Sequence, residues 1–138
     1  MNEKISLADI EFKEMLESLK LPLEQFNHRA HLRLAYIYLT TTNVDNTVQL
    51  MKSALNAFLN HNGVDASKYH ETLTRAWVLT VHHFMSKTPY AANADEFIEA
   101  NKQLLDTNIM MTHYCSKTLF SDRARACFVE PDLEPFDK

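Results

Sequence analysis

His28-x-x-His31 sets two imidazoles about one helical turn apart, a spacing that can grip one metal ion or hold the two ends of a polar ligand. His70-Glu71 would add a third nitrogen and a carboxylate, and His113, ahead of the last short helices, could close the site with a fourth imidazole. Helix neighbours diverge by about 100°, so His70 and Glu71 can share a site only near the start of their helix, where the pattern puts them. Three histidines and a carboxylate suit zinc, iron or manganese with a position left open for water or substrate. On that reading His28, His31, His70 and His113 are ligands to one divalent transition metal, and Glu71 with His70 carries the catalytic role as ligand or general base. A metal-free variant uses one histidine as general base, oriented by Glu71 or Tyr114. Tyr69, Thr74 and Tyr114 add hydroxyls for substrate, and Arg125 can anchor a substrate carboxylate or phosphate.

Each of these residues also has a plainer reading. A buried imidazole is commonly satisfied by a backbone carbonyl or a tyrosine, and Arg123 or Arg125 can pair with Glu130 or cap a helix end. Cys115 stands near His113, but side chains two apart diverge on a helix, so the pair is not read as catalytic. Trp77 and Met51, Met85, Met110 and Met111 are core candidates that could also form one wall of an apolar pocket. Asn101 shares a face with Phe97 and Leu104, which suits a structural amide bond. Sharper catalytic patterns are excluded by the letters. HETLT begins like the zinc-protease H-E-x-x-H, but Thr74 stands in place of the second histidine. No histidine follows a glutamate by three, as di-iron bundles require, and there is no His-Asp dyad and no H-x-x-x-H step.

These groups need a scaffold, and the composition says what kind. With 138 residues and 46% hydrophobic content, the chain reads as a single domain over 1–138, long enough to bury roughly two-thirds of its unfolded surface. The net charge is -4 and Lys and Arg are scattered, so neither nucleic acid nor an anionic membrane is an expected partner. No run of roughly 18 apolar residues occurs, and MNEKISLADIEFKE lacks the apolar stretch of a secretory signal, so a soluble, cytoplasmic protein is expected. Cys115 and Cys127 are read as reduced thiols. A single glycine, Gly63, argues against phosphate-cradling and dinucleotide-binding loops. With no alternating run of Val, Ile and Thr, the fold expected is all-α, a bundle of about five to six helices.

Ser6 can cap a first helix carrying Phe12, Met15, Leu16 and Leu19 and ending near Lys20, before Pro22. A second helix is expected over 24–41, and a third from Asn43, with Val48, Met51, Leu55, Phe58 and Leu59 on one side and Asn62-Gly63 as its stop. A fourth is expected from about Ser67 to Lys87, closed by Pro89. Asn93 with Glu96 opens a fifth that carries Phe97, Leu104 and Leu105. Past Asn108 only short turns are expected, then a helix capped by Ser121 through Phe128 and an extended tail, VEPDLEPF. Counted at about 100° per residue, His28 and His31 share a face with Leu32, Ala35 and Leu39, and His70 shares one with Leu73, Thr74 and Trp77. His82 and His83 fall on the polar side near Arg75 and His61 sits at a frayed helix end, so these three are expected to be solvated. Inward imidazoles that are neutral or metal-bound should destabilise the fold, or release metal, as pH drops through roughly 6.

His28-Arg-Ala-His31-Leu32, Tyr69-His70-Glu71-Thr72-Leu73-Thr74 and the stretch Ala124-Arg125-Ala126-Cys127-Phe128-Val129-Glu130-Pro131-Asp132-Leu133 carry a resemblance. They resemble the H-x-x-H-L, Y-H-E-T-x-T and A-R-x-x-F-V-E-P-D-L blocks of a group of small, uncharacterised bacterial all-helical proteins, and the likeness spans most of the chain. The resemblance implies a compact single-domain unit in which the three segments belong to one set, and assigns no activity or cofactor. Two readings therefore stand. One is a metal-dependent enzyme acting on a small organic molecule. The other is a non-catalytic module that binds a ligand or a protein, a second copy of itself included, over a polar core of structural histidines.

Overall fold

A computed structural model describes residues 5–136. Among them the chain forms seven α-helices joined by short turns and 3-10 segments, with no strand. The helices are α1 (Leu7–Glu17), α2 (His28–Leu39), α3 (Val44–His61), α4 (Glu71–Lys87), α5 (Ala94–Ala100), α6 (Ser116–Leu119) and α7 (Asp122–Ala126). The all-α fold is as expected, and the five helices of seven residues or more correspond to the five main helices expected from the sequence.

The bundle is organised around α2, whose Leu32 and every residue from Leu34 to Leu39 are buried. A helix apolar on nearly all sides must be surrounded, and α2 packs against α1, α3, α4 and α5. α3 contributes Val48, Met51, Leu55 and Phe58, while α4 contributes Ala76, Trp77, Val78 and Val81. Beneath α1, Asp9 is 1% exposed yet well served. It accepts from the Ser6 amide at 3.1 Å, the Ala94 amide at 3.0 Å and Arg33 Nε at 2.9 Å, tying the starts of α1 and α5 to α2.

The helix boundaries differ from the sequence expectation where side chains intercept backbone groups. α1 stops at Glu17, and Leu19 takes φ 66° with the Lys20 amide on the Met15 carbonyl at 2.8 Å, a left-handed stop normally given to glycine. The expected 24–41 helix is split: residues Leu23–Gln25 form a 3-10 turn, and Asn27 restarts the chain by accepting from the Ala30 amide at 2.9 Å. The fourth helix begins at Glu71 rather than near Ser67, since Asp65 caps the start of a separate 3-10 turn over Ala66–Lys68 and His70 becomes the N-cap of α4. α5 ends at Ala100 because the Asn101 amide turns inward, donating to Phe97 O at 2.8 Å and Thr88 Oγ1 at 3.0 Å. Leu104 and Leu105 then fall in a 3-10 segment.

The C-terminal tail is extended, as expected, and held at many points. Thr72 Oγ1 donates to Cys127 O at 2.9 Å and accepts from the Val129 amide at 3.1 Å, so one hydroxyl of α4 replaces a strand partner. The Leu133 and Glu134 amides donate to His113 O at 2.9 Å and Thr112 O at 3.2 Å. No helix among the described residues is long and apolar enough to cross a membrane.

Candidate functional site

Between α2, α3, the start of α4 and the 107–120 segment lies a cavity of about 530 Å³. Leu55 and Leu59 of α3, Leu73 and Trp77 of α4, Met110, Met111, Leu119 and the rings of Phe26 and Phe120 make it largely apolar. Five of the sequence candidates share its wall: His28, His31, Tyr69, His70 and Thr74. Trp77, Met110 and Met111 are pocket wall, whereas Met51 is fully buried and Met85 packs on the core away from it.

The three imidazoles differ in what their nitrogens already do. His70 has spent both: Nε2 donates to Leu119 O at 2.7 Å and Nδ1 accepts from the Leu73 amide at 3.1 Å. Only the neutral Nε2-protonated tautomer makes both bonds. Burial pushes its pKa down, against the bond to Leu119, and the Arg125 charge lowers it further. His70 therefore caps α4 and fastens it to α6, with no nitrogen left for a metal or a proton in transit. His28 uses one nitrogen, Nε2 lying 2.8 Å from Leu104 O, and its ring meets Trp77 edge-on at 4.6 Å. Since a carbonyl only accepts, Nε2 of His28 bears a proton and donates it to Leu104 O.

His31 is the exception. Its ring stands edge-on to Phe26 at 6.3 Å, and among the described residues neither of its nitrogens has a hydrogen-bond partner. One edge opens on the cavity while the protein around the rest of the ring desolvates it. This burial, helped by the nearby His28, lowers its pKa from 6.5 to about 4. At neutral pH it is an uncharged imidazole with one donor and one acceptor to offer.

The other expected site residues are engaged elsewhere. Glu71 sits behind the wall, accepting from Tyr69 OH at 3.0 Å with Lys52 Nζ at 3.6 Å. Burial, with that carboxylate nearby, pushes the Tyr69 phenol well above its usual range. Thr74 Oγ1 donates back to His70 O at 2.9 Å. Arg125 Nη1 reaches Ser67 O at 3.4 Å, bracing the turn before α4 rather than entering the cavity. Tyr114 is fully buried under the tail and donates to Val129 O at 2.6 Å. His113 holds the tail too, with Nδ1 2.7 Å from Glu134 O and its ring stacked on Phe136 at 4.1 Å.

The four-histidine metal site is thus not assembled. Among the described residues no three His, Cys, Asp or Glu side chains come together as a group able to hold a metal ion. The physical reason is local. Backbone groups at Leu73 and Leu119 occupy both nitrogens of His70, Glu134 O takes Nδ1 of His113, and the His113 ring is stacked on Phe136 of the tail. His61 and His82 are exposed and His83 half-buried, close to the sequence expectation of solvated rings.

Sequence reasoning missed Lys68, Asn108, Phe26 and Phe120, all of which line the cavity. Phe120 is 52% exposed, an aromatic left at a rim, and its position directly before the cap Ser121 was the available signal. Lys68 carried no signal beyond its place two residues before His70. Compared with family models, curated proteins and solved structures, the chain has no match.

Proposed function

We propose that the protein binds a small, largely apolar organic molecule in the cavity between α2, α3 and α4, with His31 as its hydrogen-bonding anchor. The observation that supports this reading is a half-buried imidazole on the cavity wall with no partner for either nitrogen, while its neighbour His70 is fully paired. The His31 nitrogens open onto the cavity with no protein partner, so one donor and one acceptor are available to a molecule that enters it. The volume of about 530 Å³ falls in the range of small-molecule sites, roughly 300–1,000 Å³, and the wall has their usual character, mainly apolar with few polar atoms.

A neutral apolar fluorophore, N-phenyl-1-naphthylamine, tests this without presupposing a charge on the ligand. Trp77 is the chain's single tryptophan and lines the cavity, so energy transfer from it reports occupancy directly. Saturable binding of one probe per chain is expected, quenching Trp77 and disappearing in a Leu55→Phe/Leu59→Phe variant that fills the cavity. Absence of saturable binding, or binding untouched by that variant, would overturn the reading.

A further inference from the structure

We propose that the occupant of this cavity is an organic acid, whose anionic head group is held by the imidazole N–H of His31 and by Lys68 while its apolar body lies against Trp77 and the leucine wall. This inference rests on the pocket reading above and adds the chemistry of the head group. It follows from which charges border the cavity. The chain carries 18 acidic residues against 14 basic ones, yet no aspartate or glutamate lines the cavity, and Lys68 is the one permanently charged side chain that does. Of the carboxylates flanking lining residues, Glu71 is engaged by Tyr69 and Lys52, Asp106 accepts from the Asn108 amide and Asp65 from the Ser67 amide, and none of the three lines the cavity.

All other titratable groups on the wall leave the same sign preference. From α2 come His28 and His31, from the turn before α4 come Lys68, Tyr69 and His70, and α3 and the 107–120 segment contribute none. His70 is closed by its two backbone bonds, His28 donates to Leu104 O, and Tyr69 donates to Glu71, so their protons are already committed. The donors without a hydrogen-bond acceptor in the protein are His31 and the Lys68 ammonium, the latter in the field of the Asp65 carboxylate, which does not line the cavity. A carboxylate accepts from both kinds of donor. An ammonium would find a lysine and no counter-charge, and an alcohol would use His31 alone.

Three probes with one ring system separate these cases: 1-naphthylacetate, 1-naphthaleneethanol and 1-naphthylmethylamine, titrated by Trp77 fluorescence at pH 7. The acid should bind about tenfold or more tighter than the alcohol, as a charge-assisted hydrogen bond commonly gives, and the amine should bind weakest. In a Lys68→Gln/His31→Asn double variant the acid's advantage over the alcohol should shrink toward onefold, with saturable N-phenyl-1-naphthylamine binding showing that the cavity remains intact. Equal affinities for acid and alcohol in the wild type, or an acid preference that survives in the double variant, would overturn the head-group inference and leave the pocket reading standing. Failure of all three probes to bind would remove the pocket reading itself.

Discussion

His31 makes the stability of this fold depend on pH in a direction and by an amount that can be worked out. In the unfolded chain its pKa is the ordinary 6.5, and in the folded protein it is about 4. Between those values the unfolded state takes up a proton that the folded state refuses, so stability is fully present above pH 6.5 and is lost as pH falls toward 4. From the two proton-binding curves, the loss between pH 7 and pH 5 is about 2 kcal/mol. Urea unfolding at pH 7, 6 and 5 measures it, with His31→Phe as the reference, because phenylalanine keeps the ring against Phe26 and cannot ionise. The wild type should lose about 2 kcal/mol more than the variant across that interval, with the slope of unfolding against urea unchanged. His70, its pKa also lowered by burial, contributes the same sign in both proteins and cancels in the difference. Parallel pH profiles for wild type and variant, or a His31 ring resonance that titrates near 6.5, would refute the assignment.

Replacing His70 by Ala removes the α4 cap and orphans the Leu119 carbonyl, which should cost about 2 kcal/mol in thermal unfolding. His70→Asn should regain about half of that by restoring the cap alone. Asp9→Ala strands the Ala94 amide and Arg33 in a nearly sealed site, and a loss of about 3 kcal/mol in chemical unfolding is expected; a change under about 0.5 kcal/mol would mean that α1 and α5 are anchored otherwise. Thr47 is fully buried in the first turn of α3, and among the described residues its hydroxyl has no hydrogen-bond partner. Thr47→Val should therefore raise the free energy of unfolding by about 1 kcal/mol in a urea titration, and a lower value would show that the hydroxyl is satisfied.

The parts of the architecture legible in the sequence were those that depend on local chemistry. The periodic apolar faces of α2, α3 and α4, the start of α3 at Asn43 and the caps Ser6, Asn93 and Ser121 are legible in the sequence, because period and capping act within a few residues. The inward phase of His28 and His31 was legible for the same reason, whereas His70 reaches the cavity wall as the N-cap before α4 and not by helical phase. What each ring touches was not. The Leu104 carbonyl lies 76 residues from His28 and that of Leu119 lies 49 from His70, and both acceptors are backbone atoms that carry no residue-type signal. His113 and Tyr114 were drawn into the candidate site by residue type alone. Their actual partners, Glu134 O and Val129 O, belong to a tail whose path is set by Thr72, a residue with no obvious inward role in the pattern. Helix ends failed where a second cap competed, as at Asn27 and His70, since a polar side chain that can accept from its own third neighbour starts a helix wherever the preceding turn has already closed.

The same contrast among histidines bears on what the cavity is for. A fold that needed only to fill the space beside Phe26 would do so better with an apolar ring, since the desolvation that holds the His31 pKa near 4 is a cost to the folded state below neutrality, and its unpaired nitrogens bring none of the bonds that justify His70. His31→Phe should accordingly be at least as stable as the wild type at pH 7 while losing the acid preference of the cavity. Stability and binding would then move in opposite directions at one residue, the pattern expected of a functional group carried at some expense to the fold. If the variant is instead destabilised at pH 7 by more than about 1 kcal/mol, His31 contributes to the core in its own right, and its open nitrogens lose their force as the mark of a ligand site.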